Sequence, residues 1–154
     1  MTTDTPQLNE HNKQEYPPAH SAEHILNQAM VRIFGCSRSC VNHIERKKSK
    51  CNYKLPTCPT EEQIREVEAE VNRIIQTDMP ITSRYVTRNE VPKGIDLSKL
   101  PADASETLRL VYVGDYDVCP CLGAHVEHTS EIGNFRISST SYNDGNFRIV
   151  FRVG

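Results

Sequence analysis

His20 and His24 stand four residues apart, and far downstream Cys121 and His125 repeat that interval. On a helix, this interval puts two imidazoles on one face about one turn apart, a separation that a single metal ion bridges. Cys121-Leu-Gly-Ala-His125 adds a thiolate and a further imidazole, with Gly123 allowing a tight bend between them. Each pair alone is common on protein surfaces. Together they make a His-His-Cys-His set with the donor chemistry of a tetrahedral zinc site. His20-Ser-Ala-Glu-His24 also satisfies H-x-x-E-H, the zinc-peptidase pattern in which the glutamate activates water, here Glu23. That metallopeptidase reading needs a distant glutamate ligand on a larger scaffold and leaves Cys121 and His125 without a role. On the four-donor reading, Glu23, about 100° around the helix from His24, is expected to be an exposed neighbour.

The elements that must position these side chains follow from periodicity. Ala22, Ile25, Leu26, Ala29 and Ile33 recur at helical spacing and Gly35 is a stop signal, which predicts a first helix over residues 19–34. His20 and His24, with Asn27 and Val31, project nearly opposite its main apolar stripe. Val41–Arg46 and Cys51–Leu55 flank Lys47-Lys48-Ser49-Lys50 as a hairpin with a basic tip. Thr60 and Gln63 form a capping box for a second helix ending near Gln76, whose stripe is Ile64, Val67, Val71, Ile74 and Ile75. Ile81–Val86 and Leu108–Val113 read as strands, and residues 88–105 read as an irregular connector. Two alternating runs meet at Asn143-Asp144-Gly145 as a terminal hairpin. The expected fold class is α+β, a mainly antiparallel sheet covered by two helices. Residues 1–18 are expected to form a flexible polar tail before a single domain spanning 19–154.

The chain has 154 residues, 37% of them hydrophobic, which argues against two stacked folds, and its net charge of −2 excludes a histone-like polycation. The sequence shows neither a membrane-length apolar run nor an export signal, so a cytoplasmic location is expected, with no membrane or DNA partner. In that compartment the 6 cysteines are expected to be reduced. Cys36, Cys40, Cys51 and Cys58 lack a zinc-ribbon spacing and are expected to be small packed thiols, with Cys119 a neighbour of the site.

His20-Ser-Ala-Glu-His24-Ile-Leu followed by Cys121-Leu-Gly-Ala-His125-Val-Glu-His-Thr129-Ser-Glu131-Ile132-Gly133 resembles the paired motifs of alanyl-tRNA synthetase editing domains and their free-standing AlaX relatives. The threonyl-tRNA synthetase editing domain belongs to the same superfamily. The resemblance runs from about residue 18 to 154. It includes the basic hairpin, Thr60-Glu-Glu-Gln-Ile-Arg-Glu-Val-Glu, Val71-Asn-Arg-Ile-Ile and the Ile81 strand. This chain departs from the more usual Cys-Gly-Gly-Thr-His and Thr-Gly at Leu122, Ala124 and Ser130.

The resemblance implies a zinc-dependent hydrolase that frees tRNA from a wrongly attached amino acid, most often serine on alanine tRNA. It places His20, His24, Cys121 and His125 at the metal, His125 and Thr129 in the catalytic machinery, and Ser21, Leu122, Gly123 and Ala124 around the substrate. Four protein donors close a tetrahedral shell, whereas catalytic zinc usually keeps one position open. His125 is therefore either a fourth ligand or an acid–base group. Contacts to the tRNA, confined to its acceptor end, are expected from Lys47, Lys48 and Lys50 and from Arg136, Arg148 and Arg152. The alternative is a zinc-stabilised RNA-binding module without hydrolase activity.

Overall fold

The computed structural model describes residues 16–91 and 107–154, with the backbone alone at Arg88. Residues 1–15 and most of the 88–105 connector lie outside the described residues. Helix α1 spans Pro17–Phe34 and so begins inside the segment read as tail. Pro17 and Pro18 suit a first helical turn, where a missing N–H costs nothing. Gly35 ends α1 in left-handed backbone (φ 69°), its N–H bonded to Val31 O. Strands β1 (Val41–His43) and β2 (Ser49–Lys54) form the expected hairpin, with Lys50 inside β2 rather than at the tip.

Helix α2 spans Glu61–Gln76. Thr60 Oγ1 accepts from Gln63 N at 3.1 Å and Gln63 Oε1 accepts from Thr60 N at 2.9 Å, the reciprocal bonds of the capping box. Five strands follow: β3 (Ile81–Thr87), β4 (Thr107–Val113), β5 (Asp117–Pro120), β6 (Phe135–Asn143) and β7 (Asn146–Val153). Asp144 and Gly145 both have positive φ between β6 and β7, the two-residue turn that matches strand twist and that Asp-Gly favours.

All strand pairs are antiparallel, but they make two sheets rather than one, in the orders β1-β2-β7-β6 and β3-β4-β5. Phe147, Ile149 and Phe151 point inward from β7 and share one core with Phe135, Tyr53, Val67, Val71, Ile74 and the α1 residues Ile25, Leu26 and Met30. Helix α1 also contacts β5, so it lies between the two sheets and both of its sides are covered. A separate small cluster of Val86, Leu108 and Leu110 covers the face of the three-stranded sheet turned away from α1. Among the described residues, no helix is long and apolar enough to cross a membrane.

Candidate metal centre

The fold brings His20, His24, Cys121 and His125 together, with one donor atom from each lying within 4.8 Å of the others. Helix α1 supplies the first two, and the turn directly after β5 supplies the others. Cys121 Sγ is 3.3 Å from His20 Nε2 and 3.6 Å from His125 Nε2. Zinc bonds of about 2.0–2.1 Å to nitrogen and 2.3 Å to sulfur put tetrahedral donors roughly 3.3–3.7 Å apart. Both of those separations match zinc spacing, and the donor chemistry of the set suits zinc.

Hydrogen bonds behind the rings aim them. His20 Nδ1 lies 3.1 Å from Ala124 O; because a carbonyl only accepts, Nδ1 carries the proton and Nε2 presents a lone pair. His125 Nδ1 lies 3.0 Å from Ser21 Oγ, which also accepts from Val126 N at 3.1 Å. His20 and His125 stack with centroids 4.2 Å apart, and His24 meets both edge-on. Burial, with the neighbouring imidazoles, holds His24 well below the ordinary histidine range and brings His125 down to about 2. Both rings are thus neutral at pH 7, the form that binds metal.

Cys121 receives the Gly123 N–H at 3.4 Å, and Arg109 Nη1 donates to Gly123 O at 2.6 Å, bracing the ligand turn against β4. Behind His24, Nδ1 faces Cys119 Sγ at 3.7 Å and Asp117 Oδ2 at 3.8 Å. Burial pushes the Cys119 thiol well up, so it stays protonated. The Asp117 side chain has no solvent exposure, is paired with Arg38 at 2.7 Å and accepts from Gln28 at 3.0 Å. His24, Asp117 and Cys119 could by themselves hold an ion, but this carboxylate is already neutralised by the guanidinium.

Glu23 corrects the sequence reading. It is only 5% exposed, because its side of α1 is covered by Asn42 of β1 and Tyr53 of β2 rather than by water. Its Oε2 accepts from Asn27 Nδ2 at 2.5 Å and Asn42 Nδ2 at 3.0 Å, and Asn27 in turn accepts from Tyr53 Oη at 2.7 Å and Ser39 N at 3.2 Å. Its Oε1 lies 3.8 Å from His24 Nε2 and 4.0 Å from His20 Nε2, at the edge of the donor cluster. Asn42 and Tyr53 went unnoticed in the sequence, and Asn27, placed there on the same side as the histidines, was given no role.

Other expected site residues fall at varying places. Ser21 is buried against His125, Gly123 is buried, Leu122 half-buried and Ala124 exposed, all in or against the ligand turn. Thr129 is bound elsewhere: its hydroxyl contacts Ile74 O and Ile75 O at the end of α2 and accepts from Met79 N. That places it as a tie between α2 and the chain entering β3. Lys47 and Lys48 are exposed in the β1–β2 turn. Lys50, Arg148 and Arg152 share the outer face of the four-stranded sheet, where Arg136 is paired directly with Arg152. Among the described residues, Cys36, Cys40, Cys51 and Cys58 form no metal-ligating group; Cys51 is in the core, but Cys40 and Cys58 are exposed rather than packed.

Comparison with known proteins gives the same direction. Residues 108–150, which include Cys121 and His125, match the threonyl and alanyl tRNA synthetase second additional domain. The chain is 32% identical to the alanine–tRNA ligase of Halorubrum lacusprofundi over 145 residues, 88% of this chain and 15% of that protein. With the ligase of Methanococcus maripaludis strain C6 it shares 26% identity over 151 residues, 96% of this chain and 17% of the other. With that of Leptospira interrogans it shares 30% over 138 residues, 84% and 14% respectively. The chain thus spans about a sixth of the length of these relatives. Over most of its own length it is homologous to alanine–tRNA ligases, and its residues 108–150 match the second additional domain of threonyl and alanyl tRNA synthetases.

Proposed function

We propose that this chain is a zinc-dependent trans-editing hydrolase that deacylates mischarged tRNA, with seryl-tRNA(Ala) its main substrate. Relationship to alanine–tRNA ligases supports tRNA editing as the general activity. The observation that carries the finer reading is the convergence of three imidazoles and one thiol, with donor atoms within 4.8 Å of one another, beside a buried carboxylate. A zinc ion in this donor set supplies Lewis acidity at an ester carbonyl and acidifies water near neutral pH.

The residues divide the remaining work. Ala124 O and Ser21 fix the imidazoles of His20 and His125, and Asp117 backs His24. Glu23 Oε1 faces the same space and is placed to take a proton from the attacking water; delivered to the ribose oxygen as the ester C–O bond breaks, that proton completes release of the amino acid and free tRNA. Leu122 and Ala124 shape the space for the amino-acid side chain. Lys47, Lys48 and the outer-face cations Lys50, Arg136, Arg148 and Arg152 contact phosphates of the tRNA. The acceptor end reaches the site.

A second reading has one observation in its favour: all four donors converge, which suits a closed structural zinc in an RNA-binding module. Measuring amino-acid release from seryl-, glycyl- and threonyl-tRNA separates the two. The hydrolase reading expects serine release that His24→Ala and Cys121→Ala abolish while the chain stays folded. Tight tRNA binding without release by the zinc-loaded protein would establish the structural module instead.

A further inference from the structure

Tyr85 is 56% exposed and stands on β3, an edge strand of the three-stranded sheet. It pairs directly with Arg109 on β4. The next step across the sheet is Cys121, whose N–H bonds to Arg109 O at 3.0 Å just beyond the Leu110–Pro120 pair. Directly opposed residues project from the same face. Tyr85, Arg109 and Cys121 therefore form one row, on the face where Cys119 and Asp117 meet His24. At about 4.8 Å per strand, the backbone of Tyr85 stands roughly 10 Å from that of the metal-ligating cysteine. Between them, the Arg109 side chain runs to the ligand turn and places a positive charge there.

This row matches the layout of an aminoacyl ester at the end of an RNA. With the ester carbonyl at the cluster, one sugar ring separates it from the base, and the adjoining phosphate is anionic. We propose that Tyr85 is the stacking platform for the base of the 3′-terminal nucleotide whose ribose carries the ester. The assignment rests on the hydrolase reading above. An exposed aromatic face holds any base without reading its edge, which suits a terminal nucleotide common to every substrate.

The test compares wild type, Tyr85→Phe and Tyr85→Ala. KM and kcat are measured on a charged acceptor-stem RNA, and affinity on the uncharged RNA with its 3′-terminal base present or replaced by an abasic sugar. Loss of one base–aromatic stack weakens binding roughly 5- to 140-fold. Tyr85→Ala is expected to raise KM and Kd by that factor with kcat nearly unchanged, and Tyr85→Phe to stay within about twofold of wild type. Removing the terminal base should weaken wild type to the same degree and Tyr85→Ala no further. An abasic penalty that persists in full in Tyr85→Ala, or no penalty in wild type, overturns the assignment. Absence of amino-acid release by wild type would remove the hydrolase reading separately, since the binding series on uncharged RNA reads the stack without it.

Discussion

Ala22, Ile25, Leu26, Ala29 and Met30 on one side of α1, and Ser21, Glu23, His24 and Asn27 on the other, are almost equally shut off from water. The first set joins the phenylalanines of the four-stranded sheet in the main core, where burial stabilises by about 25 cal/mol per Å² of apolar surface. The second set gains little from burial: each polar group would cost about 1–3 kcal/mol if left without a partner. Asn27, Asn42, Tyr53 and Asp117 meet that cost, and no buried side-chain nitrogen or oxygen among the described residues lacks a hydrogen-bond partner. Apolar residues there would stabilise the fold at less risk. The polar side is therefore built to aim imidazoles and hold them neutral.

Four substitutions or conditions probe this contrast. The largest stability effect is expected from Arg38→Met, which leaves the Asp117 carboxylate buried without its cation. Breaking such a pair costs roughly 3–5 kcal/mol; urea unfolding should show it, and an unchanged midpoint would mean that water reaches Asp117. On the apolar side, Leu26→Ala should cost about 2–5 kcal/mol by the same measurement yet leave zinc affinity unchanged. Loss of zinc from folded Leu26→Ala would show that the two sides are mechanically coupled. Ser21→Ala removes the partner of His125 Nδ1 and should weaken zinc binding about 10–100-fold in chelator competition, with a smaller effect on unfolding.

The smallest effect per step concerns pH in the metal-free protein. His24 and His125 have folded-state pKa values below their unfolded value near 6.5, so the unfolded chain binds more protons once pH falls below it. Stability should be complete above about pH 6.5 and decline as pH falls towards the folded value, by at most about 1.4 kcal/mol per unit for each ring. A metal-free protein that gained stability between pH 6.5 and 5 would contradict neutral, buried imidazoles.

Much of this was legible in the sequence because its signals are local. The capping box at Thr60 and Gln63, the Asp144-Gly145 turn and the two four-residue donor intervals each depend on neighbours within a turn. Strand β5 was missed, although Gly114, at φ 51°, marks the turn that introduces it, because four residues ending in Pro120 carry too little alternation. The division into two sheets depends on long-range pairing, which periodicity does not encode. Glu23 was misplaced for a related reason: polarity on one side of a helix reads the same whether that side meets water or a satisfied buried network. Thr129 sits in the ligand motif by sequence, yet its hydroxyl is committed to the carbonyls that end α2.

The most direct test is X-ray absorption at the zinc edge of the purified protein, alongside metal content. One zinc per chain is expected, with a single sulfur at about 2.3 Å and nitrogen donors at about 2.0–2.1 Å, the sulfur signal disappearing in Cys121→Ala. Zinc bound without sulfur, or at full stoichiometry in the His24→Ala and Cys121→Ala double variant, would contradict a metal centre built from α1 and the turn after β5.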